Sequence, residues 1–407
     1  MPLAKGSPDY RRLTLAMLFA GFSTFSLLYS AQPLLPLFAH DFYLSAEAAS
    51  LAVGLATGPL AVGILIAGAL SDRWGRRPIM VAAMFLAGGC SLVTAAAPGW
   101  PALLALRFLT GVALAGVPAV AMAYVSEEVD HESVGSAMGL YIGGSAIGGM
   151  AGRLGVSLLT DLAGWRGAIA LVGVAGLAMA EAFRRLAPES RHFVRSAPPP
   201  RDVVRGFASL LRDRAMQLLF LEAFVLMGVF VSIYNYAGFR LMAAPYSLGH
   251  AEVGAIFLLY LLGSWSSAWF GGVAGRLGRR RIFWMPVVLL IVGVALTAAR
   301  PLALVVAGIG VVTIGFFGAH SIASAWVGRR ALAQRGQAAA LYLFFYYAGS
   351  SVLGSLCGIA WTRAGWPGVA WFCGALGAIA LILGLILRTI PPLRQNEVAP
   401  PKPLGTD

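Results

Sequence analysis

Residues 68–78 read Gly68-Ala69-Leu70-Ser71-Asp72-Arg73-Trp74-Gly75-Arg76-Arg77-Pro78 and stand between two apolar runs. Each run has roughly the twenty residues that a helix needs to cross about 30 Å of hydrocarbon. Four charges packed into eleven residues cannot lie within that hydrocarbon, so the stretch reads as a short polar turn joining two membrane helices. Gly68 and Gly75 let the backbone turn sharply, and Asp72 sits among Arg73, Arg76 and Arg77.

The composition agrees with this reading. Of 407 residues 59% are hydrophobic and 12% charged, against about 25% charged in soluble domains. The net charge of +13 invites a nucleic-acid reading, but the distribution of the charge decides otherwise. Cys90, Cys357 and Cys373 all fall inside apolar runs, which argues for packing and against a disulfide framework or a metal cluster. Lys5, Arg11 and Arg12 precede an apolar run too long for the h-region of about 7–15 residues in a cleaved signal, so the first helix is expected to remain.

Twelve transmembrane helices are expected, at 13–38, 48–70, 79–97, 102–125, 134–160, 167–187, 215–239, 252–274, 282–299, 302–327, 337–360 and 369–391. With an even number of spans both termini share one side. Arg166, Arg240, Arg300 and Arg363 lie on the other side, Arg107 and Arg153 within spans, and every remaining basic residue on the side of the termini. The positive-inside rule makes that side the cytoplasm. Residues 188–214 turn to arginine, proline and polar residues and include Pro198-Pro199-Pro200, which cannot continue a helix. The expected division is an N-terminal six-helix bundle (1–187), a cytoplasmic linker (188–214), a C-terminal six-helix bundle (215–391) and a disordered cytoplasmic tail (392–407). The halves repeat in parallel. Gly68, Arg73, Gly75, Arg76 and Arg77 map onto Gly271, Arg276, Gly278, Arg279 and Arg280, and Gly135, Leu140, Tyr141, Gly148, Gly164 and Trp165 onto Gly336, Leu341, Tyr342, Gly349, Gly365 and Trp366. Asp72 alone is replaced, by Gly275.

Several activities lack their residues. Lysine occurs only at Lys5 and Lys402, outside any phosphate-binding loop, so ATP is not expected to drive the protein. His131-Glu132 lacks the second histidine of a zinc protease, and no nucleophile turn is present, so neither an enzyme nor a metal or other cofactor is expected. The polar residues within the spans concentrate in the first, fourth, seventh and tenth: Tyr29 and Gln32, Arg107, Glu222 and Asn235, and His320. Buried polarity of this kind costs several kcal/mol unless it faces a wet path or a partner. Those four spans are therefore expected to line a central cavity, with Tyr29, Gln32, Arg107, Asn235, Tyr346 and Tyr347 as candidate contacts to substrate. Glu222, His320 and Arg107 are the candidates for proton coupling. A lone carboxyl about 10 Å inside a helix is costly to ionise, as a proton carrier requires. Arg107 reads equally as a structural arginine bonded to carbonyls, and Glu222 and His320 equally as hydrogen-bonded structure. Gly144, Gly148, Gly149 and Gly152 form a small-residue face for close helix packing. Arg153 lies near the outer end of its expected span and reads as snorkelling to the interface, with contact to substrate as the alternative. Trp326 reads as an interfacial anchor.

Residues 68–78 match every fixed position of the G-x-x-x-D-R-x-G-R-R signature of the major facilitator superfamily, and residues 10–391 resemble that family throughout. Arg107 in Leu103-x-x-x-Arg107-x-x-x-Gly111 looks like its fourth-helix motif, in which the arginine is linked to proton coupling or substrate handling. Residues 144–153 partly resemble its antiporter motif, with Gly149 where that motif has proline and Arg153 where it has glycine. Gly139-Leu140-Tyr141, residues 147–153, Pro188-Glu189-Ser190-Arg191-His192-Phe193 and Ala319-His320-Ser321 are similar to the YnfM-like branch of bacterial inner-membrane carriers, grouped with efflux permeases. The resemblance implies alternating access by a monomer, with Gly68, Asp72, Arg73, Gly75, Arg76 and Arg77 as a conformational gate, and export of a small organic solute against protons. The sequence leaves open uptake symport or uniport of a sugar or organic anion, and a non-transporting membrane sensor. No carboxylate occurs within 13–38, and Arg107 and Arg153 favour neutral or anionic cargo.

Overall fold

The computed structural model describes residues 2–193, 195, 199–331 and 334–391. The expected disordered tail lies outside them. The described chain is nearly all helical: α1 (Pro8–Tyr29), α2 (Leu35–Asp41), α3 (Ala46–Trp74), α4 (Arg76–Thr94), α5 (Trp100–Leu114), α6 (Pro118–Glu128), α7 (Val134–Leu186), α8 (Pro200–Arg212), α9 (Arg214–Met242), α10 (His250–Gly254), α11 (Tyr260–Leu277), α12 (Arg279–Ile282), α13 (Trp284–Thr297), α14 (Leu302–Arg330) and α15 (Arg335–Thr389). Among the described residues ten helical stretches are long and apolar enough to cross a membrane.

Two of these stretches, α7 and α15, run for 53 and 55 residues and each contains one non-helical glycine. Gly164 has φ 65° and Gly365 has φ 59°, the left-handed region that a side chain disfavours. The expected loops at 161–166 and 361–368 are thus reduced to a single residue each. Gly75 (φ 99°) and Gly278 (φ 92°) make the same kind of turn after α3 and α11. Both pairs are the ones matched by the internal repeat, so the repeat is carried in backbone geometry as well as in residue identity.

Packing repeats too. The two most extensively packed helix pairs are α1 with α7 and α9 with α15. Gly148 lies against the Phe22 carbonyl, where a Cβ would approach to 2.2 Å, and its mate Gly349 lies against the Phe224 carbonyl, where a Cβ would approach to 2.0 Å. Gly144 and Gly152 meet Leu18 and Ser26 in the same way, and Ser26 Oγ donates to the Gly148 carbonyl at 2.8 Å. Large apolar side chains of α4, of α13 and of the ends of α7 and α15 face outward, as lipid requires: Leu86, Val93, Leu171, Val174, Val292, Ile379 and Ile382.

Two expectations change. Residues 200–212 form α8, because Pro200 stands at the first helical position, where its missing N–H is no loss. Trp326 is buried edge-on against Phe283, inside the C-terminal half, rather than anchored at an interface.

The helix ends define two faces. On one, Trp165 Nε1 donates to Asp41, Arg166 to the Ala95 and Ala97 carbonyls, and Arg240 to the Thr297 and Ala299 carbonyls. This is the Tyr43 face. On the other, the Gly75 face, Leu3 N–H donates to the Glu128 carbonyl, Arg77 to the Ala187 and Arg184 carbonyls, and Arg330 pairs with Asp213.

Candidate functional site

The first span is broken by its prolines. Pro33 and Pro36 cannot donate to the preceding turn, so α1 stops at Tyr29 and a 3-10 turn over Gln32–Leu34 leads into α2. The end of α1 therefore presents carbonyls with no helical partner, at the negative end of its dipole. Arg107 takes them. Only 1% exposed, it donates from Nη1 to Leu27 at 3.0 Å, from Nη2 to Leu28, and from Nε to Ala52 of α3 at 2.9 Å. Three neutral acceptors and a helix terminus satisfy a cation that has no carboxylate partner.

Just beyond the break a polar chain crosses between the halves. Asn235 Oδ1 accepts from Gln32 Nε2 at 2.7 Å, Gln32 Oε1 accepts from Arg153 Nε at 2.5 Å, and Arg153 Nη1 donates to the Gly149 carbonyl at 2.5 Å. Arg153 is 3% exposed and does not snorkel. Its guanidinium carbon lies 4.1 Å from the ring centre of Tyr29, 5.0 Å from that of Tyr260 and 5.5 Å from that of Phe257. The chain thus brings together the expected Tyr29, Gln32 and Asn235 with Arg153, read from sequence first as a snorkelling residue, and adds Phe257 and Tyr260.

Tyr346 and Tyr347 lie near Tyr29 but are not hydrogen-bonded into that chain among the described residues. Their rings meet at 5.0 Å, and Tyr346 also lies 4.9 Å from His320. His320 Nδ1 is 2.9 Å from the Tyr342 hydroxyl, and its ring stacks on Phe316 at 5.8 Å. Glu222 is fully buried and neither carboxylate oxygen has a partner among the described residues. It points toward Gly384 and Phe283, so the structure does not bond it to His320. Of the proton candidates, Arg107 is saturated, His320 is held by a tyrosine, and Glu222 is unpartnered.

At the Gly75 face the signature residues form an ion-pair cluster. Arg76 donates to Asp72 at 2.5 Å, to Ser71 at 2.6 Å and to Glu127 at 2.7 Å, joining α3, α4 and α6. Arg77 caps the end of α7 through its last carbonyls, and Arg73 is exposed. Gly68 has open space around it, and its carbonyl accepts from Ser71 Oγ.

Contacts between the halves are one-sided. Beyond Gln32–Asn235, the Ala251 N–H donates to Asp161, Pro36 packs on Gly238, Glu47 on Gly358, and Ser351 Oγ donates to the Gly54 carbonyl at 2.8 Å. All lie at the Tyr43 face or at mid-depth. Among the described residues, no side-chain hydrogen bond or ion pair at the Gly75 face joins the two bundles directly.

The helices before and after residues 188–213 meet along one face around a buried polar chain, an arrangement suited to a membrane transporter. Residues 14–251 match the Major Facilitator Superfamily. The chain is 43% identical over 391 residues to the inner membrane transport protein YnfM of Escherichia coli (strain K12), covering 95% of this chain and 93% of that one. It is 42% identical over 402 residues to the uncharacterized MFS-type transporter YybF of Bacillus subtilis (strain 168), covering 97% and 98%. A crystal structure of a D-xylose-proton symporter superposes with a TM-score of 0.71 at 15% identity, over 93% of this chain and 96% of that one. The chain belongs to the major facilitator superfamily: it is a transporter of a bacterial inner-membrane family and not an enzyme.

Proposed function

We propose that the protein moves a small organic solute across the inner membrane by rocking its two halves, and that protons entering the cell drive the solute out. The observation that carries this reading is the one-sided closure: the halves are bonded across the Tyr43 face and unbonded across the Gly75 face. Bundles joined on only one side can exchange that closure for its opposite. Twelve spans follow if the chain folds back at Gly164 and Gly365, dividing it into bundles 1–187 and 215–391. The basic residues gathered at the Gly75 face put that face and both termini in the cytoplasm, so this conformation is open inward. One chain supplies both sides of the polar core, and a monomer suffices.

In this reading Asp72 and Arg76 belong to an inner gate that is released here. Their bonds stay within the N-terminal half, and they would reach the start of α15 near Gly336 only when the Gly75 face closes. Glu222 is the proton carrier best supported, because an unpartnered buried carboxyl gains most from being protonated. The test separates binding from driving force in proteoliposomes. Glu222→Gln is expected to keep solute counterflow and lose flux driven by a pH gradient; full gradient-driven flux in that variant removes the proton role. Asp72→Asn should slow transport while equilibrium binding persists, and equal loss of both would remove the gate.

A further inference from the structure

The two arginines inside the membrane are in opposite conditions. Arg107 spends its donors on three carbonyls, two of them at the frayed end of α1, and needs nothing more. Arg153 donates to one side-chain amide and one carbonyl, both neutral, and is otherwise faced by aromatic rings. No carboxylate lies within 4.0 Å of it among the described residues. A cation taken out of water without an anion carries a desolvation penalty of several kcal/mol, which neutral partners offset only in part.

A second set of atoms at the same place is also unsatisfied. Among the described residues Tyr29 Oη, Tyr260 Oη and Ser350 Oγ are buried and reach no partner at good hydrogen-bond geometry, the Tyr29 and Ser350 hydroxyls having only each other close by. Both tyrosine rings flank the Arg153 guanidinium, and Ser350 stands beside Tyr29. A buried hydroxyl left unbonded costs about 1–3 kcal/mol. A cation without a carboxylate partner, flanked by two tyrosines whose hydroxyls are poorly satisfied and with the Ser350 hydroxyl beside one of them, is short of a negatively charged acceptor. Tyr234 is excluded from the set because its hydroxyl already bonds Thr313 at 2.8 Å.

We propose that Arg153, with the hydroxyls of Tyr29, Tyr260 and Ser350, is an anion subsite that binds the carboxylate of a small organic monoanion. This rests on the transport reading above and names its class of cargo. One guanidinium neutralises one charge, and a dianion such as hydrogen phosphate would leave an unbalanced charge among aromatic walls. The body of the ligand would be apolar: Phe257 stacks on Tyr234 at 5.5 Å and Phe230 on Phe316 at 4.0 Å beside Tyr260. Tyr29 and Arg153 come from one half, and Tyr260 and Ser350 from the other, so an anion held here is held by both. Occupancy is thereby tied to closure of the Tyr43 face, where Gln32 already links Arg153 to Asn235.

Thermal unfolding of the purified full-length chain in detergent, with benzoate, phenylacetate and hexanoate as probes, reads the site directly, since a ligand of the folded state raises Tm saturably. The carboxylates should raise Tm, while benzamide, the neutral isostere, and benzylammonium should not. Arg153→Gln should abolish the carboxylate shift. Tyr29→Phe keeps the ring over the guanidinium and removes one donor, so it should weaken apparent affinity roughly three- to tenfold without loss of fold. No shift with any of the three carboxylates, an equal shift with benzamide, a larger one with inorganic phosphate, or a shift that survives Arg153→Gln would each overturn the subsite. Flux of uncharged solutes in proteoliposomes without carboxylate binding leaves transport standing and removes the subsite. Carboxylate binding without flux of any probe does the reverse.

Discussion

Arg107 and Arg153 show how little a residue's type says about its work. Removing the Arg107 side chain strands the Leu28 carbonyl and takes one donor from Leu27, which Ser30 Oγ also bonds, and from Ala52 inside α3, so Arg107→Ala should destabilise the protein by about 3 kcal/mol, read as a lower midpoint of thermal unfolding. Arg107→Lys keeps the charge but not the planar fork and should fall between. Glu222→Gln replaces a buried, unpartnered carboxyl with its neutral isostere and should leave the same midpoint within about 1 kcal/mol. Tyr29, Gln32 and Asn235 could be found from sequence because polar groups within apolar runs are conspicuous. Arg153 was misplaced for a physical reason. Its span was expected to end near 160, but the helix continues to Gly164, which carries Arg153 roughly 16 Å from the break at about 1.5 Å per residue. Its partners Phe257 and Tyr260 belong to the other half, and no local pattern announces a contact made across the repeat.

At the scale of elements, the glycines of α7 divide into those that touch and those that do not. Gly148→Ala drives a methyl into the Phe22 carbonyl and must push α1 and α7 apart, a strain of about 1–3 kcal/mol by the usual cost of overpacking. Gly143→Ala, one turn away with open space around it, should be neutral or slightly stabilising because alanine is the better helix former. Thermal unfolding of the pair checks this, and equal midpoints would show that the close approach is not rigid. The face was legible in sequence because spacing by four puts Gly144, Gly148 and Gly152 on one line. The turns at Gly75 and Gly278 were legible for the same kind of reason, since glycine beside paired arginines recurs in both halves. The helix α8 was not. Three consecutive prolines end helices far more often than they begin them, and only the geometry shows Pro200 in the one helical turn that tolerates it.

For the whole molecule, the prediction concerns sidedness and movement together. In a cysteine-free background, Tyr43→Cys should react with an impermeant reagent applied outside intact cells, and Glu132→Cys only after the cells are opened; the reverse would invert the topology. Gln32→Ala breaks the bond that ties the halves at the Tyr43 face, so spin labels at 43 and 252 should show a larger population of long distances than in the unaltered chain. The linker adds a mechanical bound. Its beginning is fixed to the first half, where Tyr124 donates to the Pro188 carbonyl and His192 N–H to Glu128. Its end is fixed to the second, where Gln337 reaches the Val203 carbonyl, Gln334 bonds Ser209, and Arg330 grips Asp213. Seven residues, 193–199, separate these two anchored stretches, and seven residues even fully extended span no more than about 25 Å. If the halves rock as proposed, that length of chain acts as a leash on the Gly75 ends, and inserting glycine and serine between its anchors should lengthen the distances between spin labels placed across that face.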